Sequence, residues 1–198
     1  MTTPTSDQIA EVLASGGVVL LPTDTVLGLA ASPAHPQAVD RIYALKQRPR
    51  EKNLPIMVAG ADQIAELGAV LSESALKLLS SRFIPGALTL VLALDPIRAP
   101  AWLKGRTEIA LRIPDNALLR EVLQNAGPLM VTSANLSGSE PPATTVEAEA
   151  QLHGAPDLTV AGKGAAPAPS TIVDCTTSPA RILRHGAVSE AEIKEVLA

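Results

Sequence analysis

Apolar positions along this chain switch repeatedly between a helical spacing and short continuous runs. Ile9, Val12 and Leu13 recur at helical spacing, Thr5 and Gln8 stand before them in capping-box register, and Gly16-Gly17 stops the run. Val18 to Leu21 then reads as a fully buried strand ending at Pro22. Val39, Ile42 and Tyr43 mark a helix that begins near Pro36 and stops before Pro49. Further on, Leu54–Val58, Leu88–Leu94, Ile109–Ile113, Leu129–Thr132, Leu158–Ala161 and Thr171–Asp174 predict strands, and Ile64–Leu67 and Ser72–Phe83 predict helices. Thr144 with Glu147 and Ser189 with Glu192 repeat the capping-box signature, before helices running to about Leu152 and Leu197. This alternation predicts an α/β layer fold: one domain over residues 1–198, with a twisted, open, mixed or parallel sheet flanked by helices.

Composition narrows the function. The chain has 198 residues, enough for a sizeable core, and its 46% apolar content is mostly aliphatic because Trp, Tyr and Phe occur once each. That scarcity argues against an aromatic base-stacking surface, and a formal charge of −4 argues against a molecule built to coat nucleic acid. Cys175 is the only cysteine, and His35, His153 and His185 form no metal motif. The N-terminus lacks the flank and apolar stretch of a signal peptide and no run is long enough to span a bilayer, so a cytoplasmic protein without a membrane partner is expected.

Ligands of open α/β sheets bind beyond the carboxyl ends of strands, so the polar residues after each apolar run are the candidates. Thr23, Asp24 and Thr25 follow the first run; Thr132, Ser133, Asn135 and Ser137 follow Leu129–Val131. Either group alone could equally be turn and cap chemistry. In KQRPREK, Lys46, Arg48, Arg50 and Lys52 occupy alternate positions. In an extended chain they would share a face about 7 Å apart and line a polyphosphate, although a solvated basic loop is the commoner meaning of such a run. Arg112 interrupts an apolar strand and must face an acid or a bound anion. Arg184 follows Ile182 and Leu183 in RILRHG, whose glycine, Gly186, allows close approach. Ala161–Ser170, rich in Gly, Ala and Pro, reads as a mobile loop over a site. GKG at Gly162–Gly164 lacks P-loop spacing, there is no dinucleotide-binding fingerprint, and no spacing supports a Ser133, His185 and Asp24 triad.

PTDTVLGLA, KQRPREKNLPIMV, PGALTLVL, IALRIPD, TSANLSG, PSTIVD and RILRHG, taken in that order over nearly the whole length, resemble the YrdC/TsaC family of threonylcarbamoyl-adenylate synthases in its short form. The resemblance implies a concave, positively lined site and the conversion of L-threonine, bicarbonate and ATP, with Mg²⁺, into threonylcarbamoyl-adenylate and pyrophosphate. A transferase complex would then modify an adenosine next to the anticodon of tRNA, with weak tRNA binding by the chain itself. By the same resemblance Thr25, Arg112, Ser133 and Ser170 would contact threonine. Lys46, Arg48, Lys52, Asn135 and Arg184 would contact ATP, with Lys46, Arg48 and Arg112 positioning the reactants and no residue acting covalently; the Mg²⁺ ligands are not implied. Leu27, Ala30 and Met57 stand where the family commonly has tyrosine, glycine and histidine. Two rival readings are a paralogous ATP-dependent carbamoyl-adenylate enzyme with another acceptor, and a non-catalytic RNA-binding or ribosome-assembly factor using the Lys46–Lys52 cluster.

Overall fold

The computed structural model describes residues 3–166 and 168–198. In chain order the elements are α1 (Ser6–Ala14), β1 (Val19–Leu21), β2 (Gly28–Ala31), α2 (Pro36–Lys46), β3 (Ile56–Met57), α3 (Ala61–Glu66), β4 (Ala69–Val70), α4 (Glu73–Leu79), β5 (Leu88–Leu94), a 3₁₀ turn (Ala101–Leu103), β6 (Glu108–Arg112), α5 (Ala117–Ala126), β7 (Leu129–Ser133), α6 (Thr145–Gln151), β8 (Leu158–Thr159), β9 (Thr171–Asp174), β10 (Arg181–Arg184) and α7 (Glu190–Leu197). All three expected capping boxes form, at Thr5/Gln8, Thr144/Glu147 and Ser189/Glu192. Each satisfies two backbone donors that a free helix start would leave unpaired.

The strands make one mixed sheet in the order β10-β9-β5-β6-β3-β7-β2-β1-β8, with β4 added to β5. Among the described residues β1–β8, β3–β6 and β5–β9 pair in parallel and the other strand pairs are antiparallel. The expected α/β sheet is therefore present, with its mixed form realised. Helix α5 and strands β2, β4 and β10 go beyond the sequence expectation. β2 returns antiparallel to β1 immediately after the PTDT turn, with Leu21 opposite Gly28. α5 is capped by the Asn116 side chain, which accepts from Leu119 N–H at 2.9 Å, and it buries Leu119, Val122 and Leu123.

Side-chain alternation divides the core by sheet face. On one face Ile56, Leu88, Leu90, Leu92, Leu111 and Val173 pack under α3, α4 and α7, through Ile64, Ala75, Leu78 and Ile193. Val18, Leu20, Leu29 and Met130 continue that layer under α2 and α6, through Ala38, Ile42 and Ala148. On the opposite face Val19, Leu21, Ala30, Leu129 and Val131 meet α1 and α5, through Ile9, Leu13, Leu119, Val122 and Leu123. The intervening residues of β5, β6 and β9, namely Thr89, Val91, Ala110, Arg112 and Ile172, point to this second face and line a cavity instead of a helix. The site therefore lies where one sheet face has no helical cover.

Candidate active site

The cavity, of about 290 Å³, is walled by Thr23, Thr25, Arg48, Asn53, Met57, Thr89, Arg112, Thr132, Ser133, Ser170 and Arg184 over an aliphatic floor. It lies on the sheet face as well as at strand ends, because most neighbouring strands are antiparallel and share no carboxyl edge. Thr25, Arg112 and Ser133 do follow or end strands, whereas Thr89 is inside β5 and Ser170 precedes β9.

The PTDT turn is held by its own hydroxyls. Thr23 Oγ1 accepts the Thr25 N–H at 3.0 Å and donates to Val26 O at 2.7 Å. Its one proton is thus committed, so at the 3.1 Å contact between the two hydroxyls Thr25 is the donor. Arg112 Nη1 donates to Thr25 Oγ1 at 2.8 Å. In this network the Thr25 hydroxyl has acceptor capacity left for a ligand and no proton to give.

Arg112 is buried and held on three sides: Nε donates to Gly86 O at 2.9 Å, Nη1 meets Thr25, and Nη2 lies 2.8 Å from the Asp24 carboxylate. The acid that its burial demanded is Asp24, an internal partner. Two of the five guanidinium N–H donors are hydrogen-bonded, to Gly86 O and Thr25 Oγ1, whereas Nη2 meets Asp24 as an ion pair and, with Asp24 Oδ1, has no hydrogen-bond partner among the described residues. Burial pushes the Arg112 pKa down, against the Asp24 charge.

Arg184 Nε and Nη2 donate to Ser170 O at 3.1 and 2.7 Å, and Nη2 also reaches Ser170 Oγ at 3.1 Å. Ser170 Oγ is 2.8 Å from Thr89 Oγ1. Burial, and then the charges of Arg112 and Arg48, push Arg184 below its ordinary value. Arg48 is also lowered, chiefly by burial, and donates to Lys52 O at 3.0 Å and Asn53 O at 3.1 Å. The described wall thus holds three arginines and no carboxylate, an arrangement whose mutual repulsion a bound anion would relieve.

The basic stretch is not extended. α2 runs to Lys46, and Gln47 takes a left-handed φ of 49°, which turns the chain between two lysine and arginine positions. Lys46 goes inward: its ammonium donates to Ser133 O, to Asn135 O at 2.7 Å and to Asn135 Oδ1 at 3.3 Å. Burial and the nearby Arg48 charge lower its pKa to about 7. Arg48 faces the cavity, Arg50 pairs with Asp40 and lies over the Tyr43 ring, and Lys52 is exposed. The expected single face of four cations is therefore absent, and Lys52 contributes its carbonyl, which accepts from Arg48 and from Tyr43 Oη. Asn135 is likewise turned into its own loop, where Nδ2 donates to Leu136 O and Ser139 O, both at 2.7 Å. Neither Lys46 nor Asn135 lines the cavity; together they fix the turn that presents Ser133.

Thr89 and Asn53 join the wall without having been singled out by sequence, whereas Thr132, one of the polar residues after Leu129–Val131, does line it. Thr89 had a signal: it alternates with Val91 on one face of LTLVLAL. Residue 167 lies outside the described residues, and the described part of the Ala161–Ser170 segment reaches the site, with Gly164 against Thr25 O and the Ala166 N–H donating to that oxygen at 3.0 Å. Among the described residues, no cluster of three or more His, Cys, Asp or Glu is placed to hold a metal ion.

The profile of the Sua5_yciO_yrdC family, described as telomere recombination, matches residues 11–186. The chain belongs to this family. Threonylcarbamoyl-AMP synthase of Bacillus subtilis (strain 168) is 33% identical over 197 residues, covering 98% of this chain and 57% of the relative. The enzyme of the same name from Enterobacter sp. (strain 638) is 35% identical over 174 residues, covering 86% of this chain and 90% of the relative. Among solved structures, P. abyssi Sua5 complexed with L-threonine superposes with a TM-score of 0.85 at 31% identity, over 96% of this chain and 56% of that one. The chain thus spans little more than half the length of its Bacillus and Pyrococcus relatives.

Proposed function

We propose that this family member is an L-threonylcarbamoyladenylate synthase, acting as one unit over residues 1–198. The observation that carries the reading is the cavity itself: three arginines and a ring of hydroxyls, with no carboxylate among the described wall residues. Such a wall suits a substrate with a carboxylate and another with phosphates. The names of the Bacillus and Enterobacter relatives, and the threonine complex of the Pyrococcus one, support the same substrates.

In this reading the Arg112 N–H groups that are not hydrogen-bonded within the chain take the threonine carboxylate, and Thr25, able only to accept, accepts a hydrogen bond from the amine or hydroxyl. Ser133 and Ser170 complete the amino-acid side. Arg48 and Arg184 take the phosphates, while Lys46 and Asn135 act from behind by fixing the Ser133 turn and Lys52 by its carbonyl. The amine combines with bicarbonate, which loses water, to form a carbamate, whose oxygen then attacks the α-phosphate of ATP as pyrophosphate leaves. Positioning and charge neutralisation carry such a transfer, and no protein nucleophile is required. The described residues hold no cluster of three or more His, Cys, Asp or Glu, and in this reading Mg²⁺ enters with the nucleotide, as part of the substrate.

We assign the product to a transferase complex that modifies tRNA beside the anticodon, with weak tRNA binding by this chain and a cytoplasmic location. No described helix is long and apolar enough to cross a membrane. Calorimetric titration tests the substrate pair: ATP and L-threonine each bind one site, and Arg112→Lys weakens threonine more than ATP. Threonine affinity equal to that for an amino acid with a bulky aromatic side chain would instead indicate a paralogue with another acceptor.

A further inference from the structure

The edge strand β10 is irregular at the cavity mouth. Ile182 stands opposite Val173 and Arg184 opposite Ile172, so Leu183 is an extra residue in the ladder. A regular strand would send Leu183 and Arg184 to opposite faces, yet both line the cavity. Bulges re-aim side chains in this way beside functional sites.

The two residues differ in how they are held. Arg184 is tied to Ser170 by three hydrogen bonds. Leu183 is 53% exposed, while the floor side chains Met57, Val91 and Val131 are 6% exposed or less. It is the one exposed aliphatic side chain of the described wall, at the mouth, next to a cation that faces inward. Arg112, at 5% exposure, marks the deep end.

We propose that Leu183 is the platform for the nucleotide base. The inference rests on the reading that the cavity binds ATP. A small amino acid fits at the buried Arg112 end, so the longer nucleotide extends towards the mouth. A phosphate chain meeting Arg184 places the attached nucleoside over the neighbouring Leu183, whose Cα is about 3.8 Å away along the chain. The described wall has no aromatic side chain, so the apolar face of the base packs on this aliphatic one. Such a contact reads flatness and apolarity, not base identity, and it discriminates little between purines.

The test compares ATP with inorganic tripolyphosphate, which carries the phosphates without the nucleoside. Leu183→Ala and Leu183→Asp are measured for binding of each by calorimetry, and for the KM of ATP and of threonine. Because Leu183 is exposed, both variants fold. The expected result is an ATP Kd raised about fivefold to tenfold in the alanine variant and further in the aspartate one. Tripolyphosphate affinity in the alanine variant and the KM for threonine stay unchanged. Unchanged ATP affinity, or an equal loss for ATP and tripolyphosphate in the alanine variant, overturns the proposal while leaving the ATP reading standing. Failure of the unsubstituted protein to bind ATP overturns the ATP reading and the platform together.

Discussion

The Arg112 guanidinium lies 2.8 Å from the Asp24 carboxylate, and both side chains are almost out of solvent at 5% and 11% exposure. The pair joins the end of β6 to the turn after β1, two segments far apart in sequence, and aims a cation into the cavity without leaving it uncompensated. Each partner explains why the other tolerates burial.

Arg112→Ala is therefore predicted to act twice. It leaves Asp24 buried without its counter-charge, at a cost of about 3–5 kcal/mol of stability. It also raises the KM for threonine by at least about tenfold, through loss of a charge-assisted hydrogen bond. Denaturant titration and threonine-dependent turnover measure the two effects separately. An unchanged KM for threonine would show that Arg112 is a structural cation only.

Lys46 gives a pH prediction. Its pKa is lowered from 10.5 to about 7 by burial and by Arg48, so between these values the unfolded chain binds the extra proton. Its contribution to stability is then fully present above pH 10.5 and is lost as pH falls towards 7, by at most about 1.4 kcal/mol per pH unit. The difference in unfolding free energy between the wild type and Lys46→Met should grow across pH 7 to 10. A pH-independent difference would mean that Lys46 keeps its proton throughout, held by its carbonyl partners.

Gly186 sets how closely β10 approaches Ser170. A Cβ there would stand 2.5 Å from both Ser170 C and Thr171 N, and closer still to Pro169 O. These are backbone atoms and cannot step aside as a flexible side chain would. Gly186→Ala is predicted to cost about 1–3 kcal/mol and to raise the KM for ATP by moving Arg184 off Ser170. Thermal unfolding and steady-state kinetics check it; a fully stable variant with unchanged KM would show that the strand end is freely displaced.

Much of this architecture was legible from local signals. The capping boxes at Thr5, Thr144 and Ser189 depend on residues three apart, the buried run Val18–Leu21 has no polar interruption, and Leu88–Leu94 has only Thr89. The need for a partner at Arg112 and for close approach beside Arg184 was likewise readable, because burial and glycine have few meanings there. What failed was orientation. The alternation of Lys46, Arg48, Arg50 and Lys52 implied one face only if the chain was extended, and the left-handed turn at Gln47 removed that condition. The inward fate of Lys46 and Asn135 depends on a contact between residues about ninety positions apart, which local pattern does not encode. α5 was readable from Asn116 and the spacing of Leu119, Val122 and Leu123, and lies between two strands whose apolar runs dominate that stretch.

Pyrophosphate release by the purified protein, given ATP, Mg²⁺ and bicarbonate with and without L-threonine, tests the central claim most directly. Release is expected to require both threonine and bicarbonate, and in Arg112→Ala to need at least about tenfold more threonine. Release independent of threonine, or its absence with every substrate present, would contradict it.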